Sequence, residues 1–172
     1  MGKRTNFKKV ARDFYPTPEA AVLPLLPHLP PGTTFDEPCA GAGHLIKHLA
    51  YFGHFCDSAS DIAPPEEYNA TPFDALNIPR CHGNMFITNP PYTWKVLSPM
   101  ITHLSDMALT WLLLPADIMH NKRMAPHMKI CRKIVSIGRV KWFGNQTGME
   151  NSAWYLFDAA HIGDTIFYGR TE

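Results

Sequence analysis

Runs of β-forming residues alternate along the chain with segments whose apolar residues recur at helical spacing, and proline or glycine marks most of the junctions. "GTTFDEP" reads as a brief buried strand stopped by Pro38, because proline fixes φ and has no N–H for a ladder. The small-residue turn "CAGAG" and the helical pattern "HLIKHLAYF", ending near Gly53, follow it. "HFCDSASD" reads as a second strand with Asp61 at its end, "YNATPFDALNIP" as a weak third strand or loop around Asp74, and "NMFIT" as a fourth strand. "WKVLSPMITHL" is a helix and "ALTWLLLP" a fifth, fully buried strand. "KRMAPHMKICRKI" is mixed and partly helical, while "IVSIGRVKWF" and "SAWYLFDA" carry the β-branched and aromatic content of two more strands. Ahead of all this, "PEAAVLPLLPHL" predicts a short helix entered at Pro18 and kinked or ended at Pro24.

Such alternation predicts an α/β fold with a mostly parallel sheet, in which ligands sit beyond the carboxyl ends of the strands. The glycine turn, Asp61, Asp74 and the loop after Thr88 all fall at such ends. A chain of 172 residues suits one domain, and its net charge of +1 excludes a strongly basic, histone-like protein. The four cysteines show no C-x-x-C spacing and the nine histidines no ligand pattern, so no metal is assigned. No apolar run is long enough to span a bilayer and no signal peptide is visible, which predicts a soluble, cytoplasmic protein.

The loop after Thr88 is Asn89-Pro90-Pro91-Tyr92. Two consecutive prolines end the strand and leave a rigid loop presenting one amide, a carbonyl with no neighbouring N–H, and one aromatic ring. The turn "EPCAGAG" has Gly41-x-Gly43 but Ile46 in place of the third glycine of a dinucleotide fingerprint, and its acid disfavours phosphate. A cationic ligand with an amino group and a ribose fits better. S-adenosylmethionine is such a ligand, with Glu37 meeting the amino group and Asp61 the ribose diol.

Together these motifs resemble the amino-methyltransferases of the class I, S-adenosylmethionine-dependent superfamily, and most of all the N6-adenine DNA methyltransferases. Asn89-Pro90-Pro91-Tyr92 is similar to their catalytic motif, and "EPCAGAG" to their cofactor motif. The resemblance implies a Rossmann-like, seven-stranded sheet with an antiparallel last strand and helices on both faces. It groups Tyr15, Thr17, Glu37, Pro38, Ala40, Gly41, Gly43, Asp61, Ile62, Asp74, Ala75 and Asn89 with the cofactor, "DFYPTP" being similar to the capping segment. "ENSAWYLFD" resembles a late strand that holds the target base in some members, which sets a base clamp at Trp154 against an ordinary core residue.

Chemistry accounts for the residue types of the loop. The lone pair of an exocyclic adenine amine is delocalised into the ring; two acceptors, the Asn89 oxygen and the Pro90 carbonyl, would redirect it toward a methyl donor, and Tyr92 offers a face for a base rotated out of its stack. Lys122, Arg123, Lys129, Arg132, Lys133, Arg139 and Lys141, with few acids among them, form a stretch suited to tracking DNA phosphates or to a solvated face. Residues 1–13 read as a basic arm and 14–172 as one catalytic domain with no residues left for a separate target-recognition domain. That leaves a short or relaxed site, a minimal reader between Lys122 and Gly148, a homodimer, or a specificity partner. Compact enzymes of this plan resemble those of phages and mobile elements, where they protect DNA from restriction. Methylation of an RNA base or a protein glutamine amide by the same loop, and a non-catalytic nucleic-acid-binding module, are the alternatives.

Overall fold

A computed structural model describes residues 16–142 and 150–170. The basic arm, Tyr15 and the tip of the reader segment, 143–149, lie outside the described residues.

The strands are β1 (Thr34–Glu37), β2 (Phe55–Asp61), β3 (Thr71–Pro72), β4 (Met85–Thr88), β5 (Leu109–Pro115), β6 (Cys131–Arg139), β7 (Asn151–Phe157) and β8 (Ile166–Tyr168). Among the described residues they form one sheet in the order β3-β2-β1-β4-β5-β7-β6-β8. The pairings from β3 across to β5 are parallel; β7 runs antiparallel to both β5 and β6, and β8 runs parallel to β6. The α/β, mostly parallel sheet expected from the sequence is therefore present. It differs in having an eighth strand, so that the antiparallel strand is the seventh and the last strand is parallel. "IFY" is short and exposed and follows a polar turn, which leaves no alternation by which to recognise it.

Alternation along the central strands builds a two-sided core. Met85, Ile87, Trp111, Leu113, Trp154 and Leu156 face one side, where α1 (Glu19–Val22), the 3-10 turn Leu23–His28 and α2 (His44–Tyr51) cover them. Phe86, Leu112, Leu114, Tyr155 and Phe157 face the other, against α3 (Trp94–Met107) and α4 (Ala125–Met128). The helix entered at Pro18 changes to a 3-10 turn at Leu23, where Pro24 removes an α-helical donor. β1 and β4 stop at Glu37 and Thr88, immediately before Pro38 and Asn89-Pro90. Among the described residues no helix is long and apolar enough to cross a membrane.

The fold bears on the alternatives left open for the basic residues and for Trp154. β6 begins at Cys131, three residues before the strand read from "IVSIGRVKWF", and so draws Arg132 and Lys133 into its amino end. At 3.3 Å per residue, Arg132 and Arg139 stand about 23 Å apart along the strand. Arg132 is paired with Asp158 at 3.0 Å, and Lys133 lies over the Tyr168 ring at 5.9 Å. The cations therefore form no single track: Lys129, Arg132 and Lys133 belong to one end of the sheet, and Lys122, Arg123, Arg139 and Lys141 to the carboxyl-end rim. Trp154 is no base clamp. It is 0% exposed, and its Nε1 donates a 2.7 Å hydrogen bond to the Ala21 carbonyl, so the ring ties β7 to α1 and presents no face to a ligand.

Candidate functional site

At the carboxyl ends of β1, β2 and β4 lies a cavity of about 730 Å³. Its first wall is the turn between β1 and α2. Gly41 and Gly43 have φ of 51° and 72°, a left-handed region in which a Cβ is strained, and this lets the turn fold back over the strand ends. Ala40 N–H donates to the Ser60 carbonyl at 2.9 Å, and Gly41 N–H donates to Asp61 Oδ2 at 2.9 Å. The other Asp61 oxygen accepts from Ala63 N–H, also at 2.9 Å. Asp61 is thus a strut between the turn and the end of β2, and it also lines the cavity.

Glu37, Pro38, Ala40 and Gly41 line the cavity from β1 and the turn; Asp61 and Ile62 line it from β2, and Asp74 and Ala75 from the loop after β3. Asp74 accepts from Leu76 N–H at 2.9 Å, capping the 3-10 turn Ala75–Asn77, so this carboxylate too has a local structural use. Glu37 differs. It is 2% exposed, and its Oε2 has no hydrogen-bond partner among the described residues. Burial, and then the like charge of Asp61, push its pKa well above the ordinary carboxylate range. An unpartnered carboxyl oxygen in a buried wall is a place for a hydrogen-bond donor, best of all a cationic one. Cys39, in the same wall, is held as a thiol because burial raises its pKa.

The proline loop closes the cavity on the β4 side. Asn89 Nδ2 donates to Thr17 Oγ1 at 3.3 Å, and Tyr92 Oη donates to Asn89 Oδ1 at 3.2 Å. These partners of opposite kind orient the amide, with its oxygen and its nitrogen each engaged in one known direction. Asn89, Pro91, Pro16 and Thr17 line the cavity. Pro90 is buried, Tyr92 packs beside α3 against the second core face, and neither forms part of the cavity wall. The structure thus brings Thr17, Glu37, Pro38, Ala40, Gly41, Asp61, Ile62, Asp74 and Ala75 together around one space with Asn89 at its edge.

Gly43 does not line the cavity. The Tyr68 ring lies directly against its Cα, where a Cβ would collide with it. Sequence reasoning missed Tyr68: an aromatic in a loop after Pro64-Pro65 gives no periodic signal, and only the tertiary structure carries it over the glycine turn. It also missed the pairing of Thr17 with Asn89, which stand 72 residues apart.

No family model matches the sequence, and no curated protein matches it. Solved structures do match. A protein from Pyrococcus horikoshii described as a "putative RNA methyltransferase" is 15% identical with a TM-score of 0.58, covering 89% of this chain and 90% of its own. The methyltransferase subunit of a type I restriction-modification system from Streptococcus thermophilus is 13% identical with a TM-score of 0.54; the match covers 90% of this chain and 47% of that one. The fold is that of the class I methyltransferases. This chain spans about half the length of the restriction-modification subunit, and to the methyltransferase fold seen in these neighbours it brings the cavity and proline loop described above.

Proposed function

We propose that the chain is an S-adenosylmethionine-dependent methyltransferase acting on the exocyclic N6 amine of adenine in DNA. One observation carries this reading: the oriented amide of Asn89 lines the same cavity as Asp61 and as Glu37, whose Oε2 has no partner among the described residues.

The residues fit the cofactor. The orphaned Glu37 oxygen answers a cationic amino group, and Asp61 keeps lone pairs for ribose hydroxyls after accepting from Gly41 and Ala63. When bound, S-adenosylmethionine supplies an electrophilic methyl on a sulfonium. The chain's own residues then act on the acceptor. Asn89 Oδ1 and the Pro90 carbonyl accept from the amine and turn its lone pair toward the cavity, while Thr17 holds the Asn89 amide in register. Tyr92 supplies both the hydrogen bond that fixes Asn89 and a ring for the displaced base. No covalent enzyme intermediate is needed, because positioning lowers the barrier to in-line transfer.

Lys122, Arg123, Arg139 and Lys141 at the carboxyl-end rim favour a polyanionic acceptor over a protein amide. The restriction-modification neighbour favours DNA, and the RNA methyltransferase neighbour, which matches over nearly its full length, favours an RNA base as the second reading. The test incubates the protein with methyl-labelled S-adenosylmethionine and unmethylated DNA, RNA or a protein extract, and identifies the product by mass spectrometry. N6-methyladenine in DNA is expected; label confined to RNA or protein refutes the acceptor, and absence of cofactor binding makes the chain a binding module. Asn89→Ala should lower transfer by about a hundred-fold or more, as loss of one transition-state hydrogen bond does elsewhere, with cofactor affinity kept within a few-fold.

A further inference from the structure

We infer that Trp94 and Arg123 form a clamp for the phosphodiester backbone of the acceptor nucleic acid beside the target base. The inference rests on the methyltransferase reading above and names a contact which that reading leaves open.

Arg123 follows β5 in the 3-10 turn Lys122–Met124, and its guanidinium carbon lies 4.5 Å from the centroid of the Trp94 ring. This cation–π contact steadies the guanidinium over the ring, and among the described residues no carboxylate is paired with it. Arg123 is exposed and Trp94 half-buried. A pre-ordered planar cation with free donors at the surface is suited to two parallel hydrogen bonds to phosphate oxygens. The indole is itself held in place by a second ring. His127 meets it edge-on at 5.7 Å, and His127 Nε2 lies 3.0 Å from Ser98 Oγ on α3. His127 is buried and its pKa lowered by that burial, so it supports the ring as a neutral group and adds no charge.

Position selects the occupant. Trp94 is two residues beyond Tyr92, so their Cα atoms are at most about 7.6 Å apart at 3.8 Å per residue. That spacing anchors the Trp94–Arg123 pair at the same rim of the sheet as the Asn89–Tyr92 loop, where the backbone flanking a base held by that loop must pass. Exposed Lys95 and Lys122 flank the pair in sequence and give the patch the sign a phosphate backbone requires. The clamp therefore reads backbone rather than sequence, and it fixes the register in which the target base reaches the loop.

The test is fluorescence anisotropy of a short fluorescein-labelled duplex DNA titrated with protein over a series of KCl concentrations. Arg123→Gln is expected to weaken binding about ten-fold, the value of roughly one charge-assisted hydrogen bond. It should also reduce the slope of log K against log salt by about 0.9, one phosphate contact. Arg123→Lys should keep the slope but recover only part of the affinity, because an ammonium lacks the flat fork. Trp94→Ala should weaken binding with the slope nearly kept, and Trp94→Phe should restore it, separating the stack from a folding defect; S-adenosylmethionine affinity by calorimetry should stay unchanged throughout. An Arg123→Gln protein with wild-type affinity and slope overturns the clamp, as does a wild-type protein that does not bind the duplex. DNA methylation by the wild type alongside indifferent clamp variants sinks this inference alone; an Arg123-dependent slope in a protein that labels only RNA supports the clamp and sinks the DNA acceptor, and label confined to protein overturns both.

Discussion

Replacing Glu37 with glutamine keeps the shape of the side chain and removes its titration. The carboxyl is 2% exposed, has no partner at Oε2 among the described residues and faces the like charge of Asp61, and all of these disfavour its ionised form. With the folded pKa raised, the folded protein binds the proton more tightly than the unfolded chain does. The contribution to stability is full below the ordinary carboxylate range and is lost as pH rises through the raised folded pKa. Glu37→Gln should remove that slope and leave the apoprotein at least as stable as wild type at neutral pH. Binding of a cationic amino group works in the opposite direction, because the ion pair requires the carboxylate. Affinity for S-adenosylmethionine should therefore rise with pH until Glu37 of the free protein is ionised, with a slope approaching one decade per pH unit, about 1.4 kcal/mol. Loss of one partner of a buried pair costs about 3–5 kcal/mol, so Glu37→Gln should weaken binding about a hundred-fold or more. Calorimetry in buffers of differing ionisation enthalpy, repeated across pH, reads both quantities: proton release on binding to wild type and none to the variant. Equal affinity and equal proton release in the two proteins would refute the assignment of Glu37 to the amino group.

Asp61→Ala should damage fold and site together, since it strands the Gly41 and Ala63 N–H groups as well as removing the ribose acceptor. A loss of about 2 kcal/mol is expected in urea unfolding after allowing for water at this half-exposed site, with weaker cofactor binding in calorimetry; unchanged stability would deny the strut. Trp154→Phe should cost about 2–3 kcal/mol through the lost Ala21 hydrogen bond and the cavity left behind, yet leave DNA affinity unchanged in anisotropy, whereas a selective loss of DNA binding would restore the base-clamp role.

The order of strands and helices was readable because local chemistry decides it. Pro38 and Pro90 stop β1 and β4 whatever surrounds them, and residues such as Met85, Phe86 and Ile87 alternate between two buried faces. The candidate site was readable for the same reason: in a parallel sheet, strand ends gather the turn, Asp61, Asp74 and Asn89 on one rim before any contact is known.

What depended on distant partners was not readable. Whether Trp154 met a base or a core turned on the carbonyl of Ala21, 133 residues away, and the unity of the basic stretch turned on where β6 began to pair with β7. The sequence by itself determined the layered α/β plan, the ends of its strands and where the proline loop begins, because proline, glycine and alternating burial act over a few residues. Only the tertiary structure decided that Glu37 Oε2 has no partner among the described residues, that Tyr68 covers Gly43, and that Arg123 lies over the Trp94 ring. Those facts rest on contacts between segments that local propensity leaves independent.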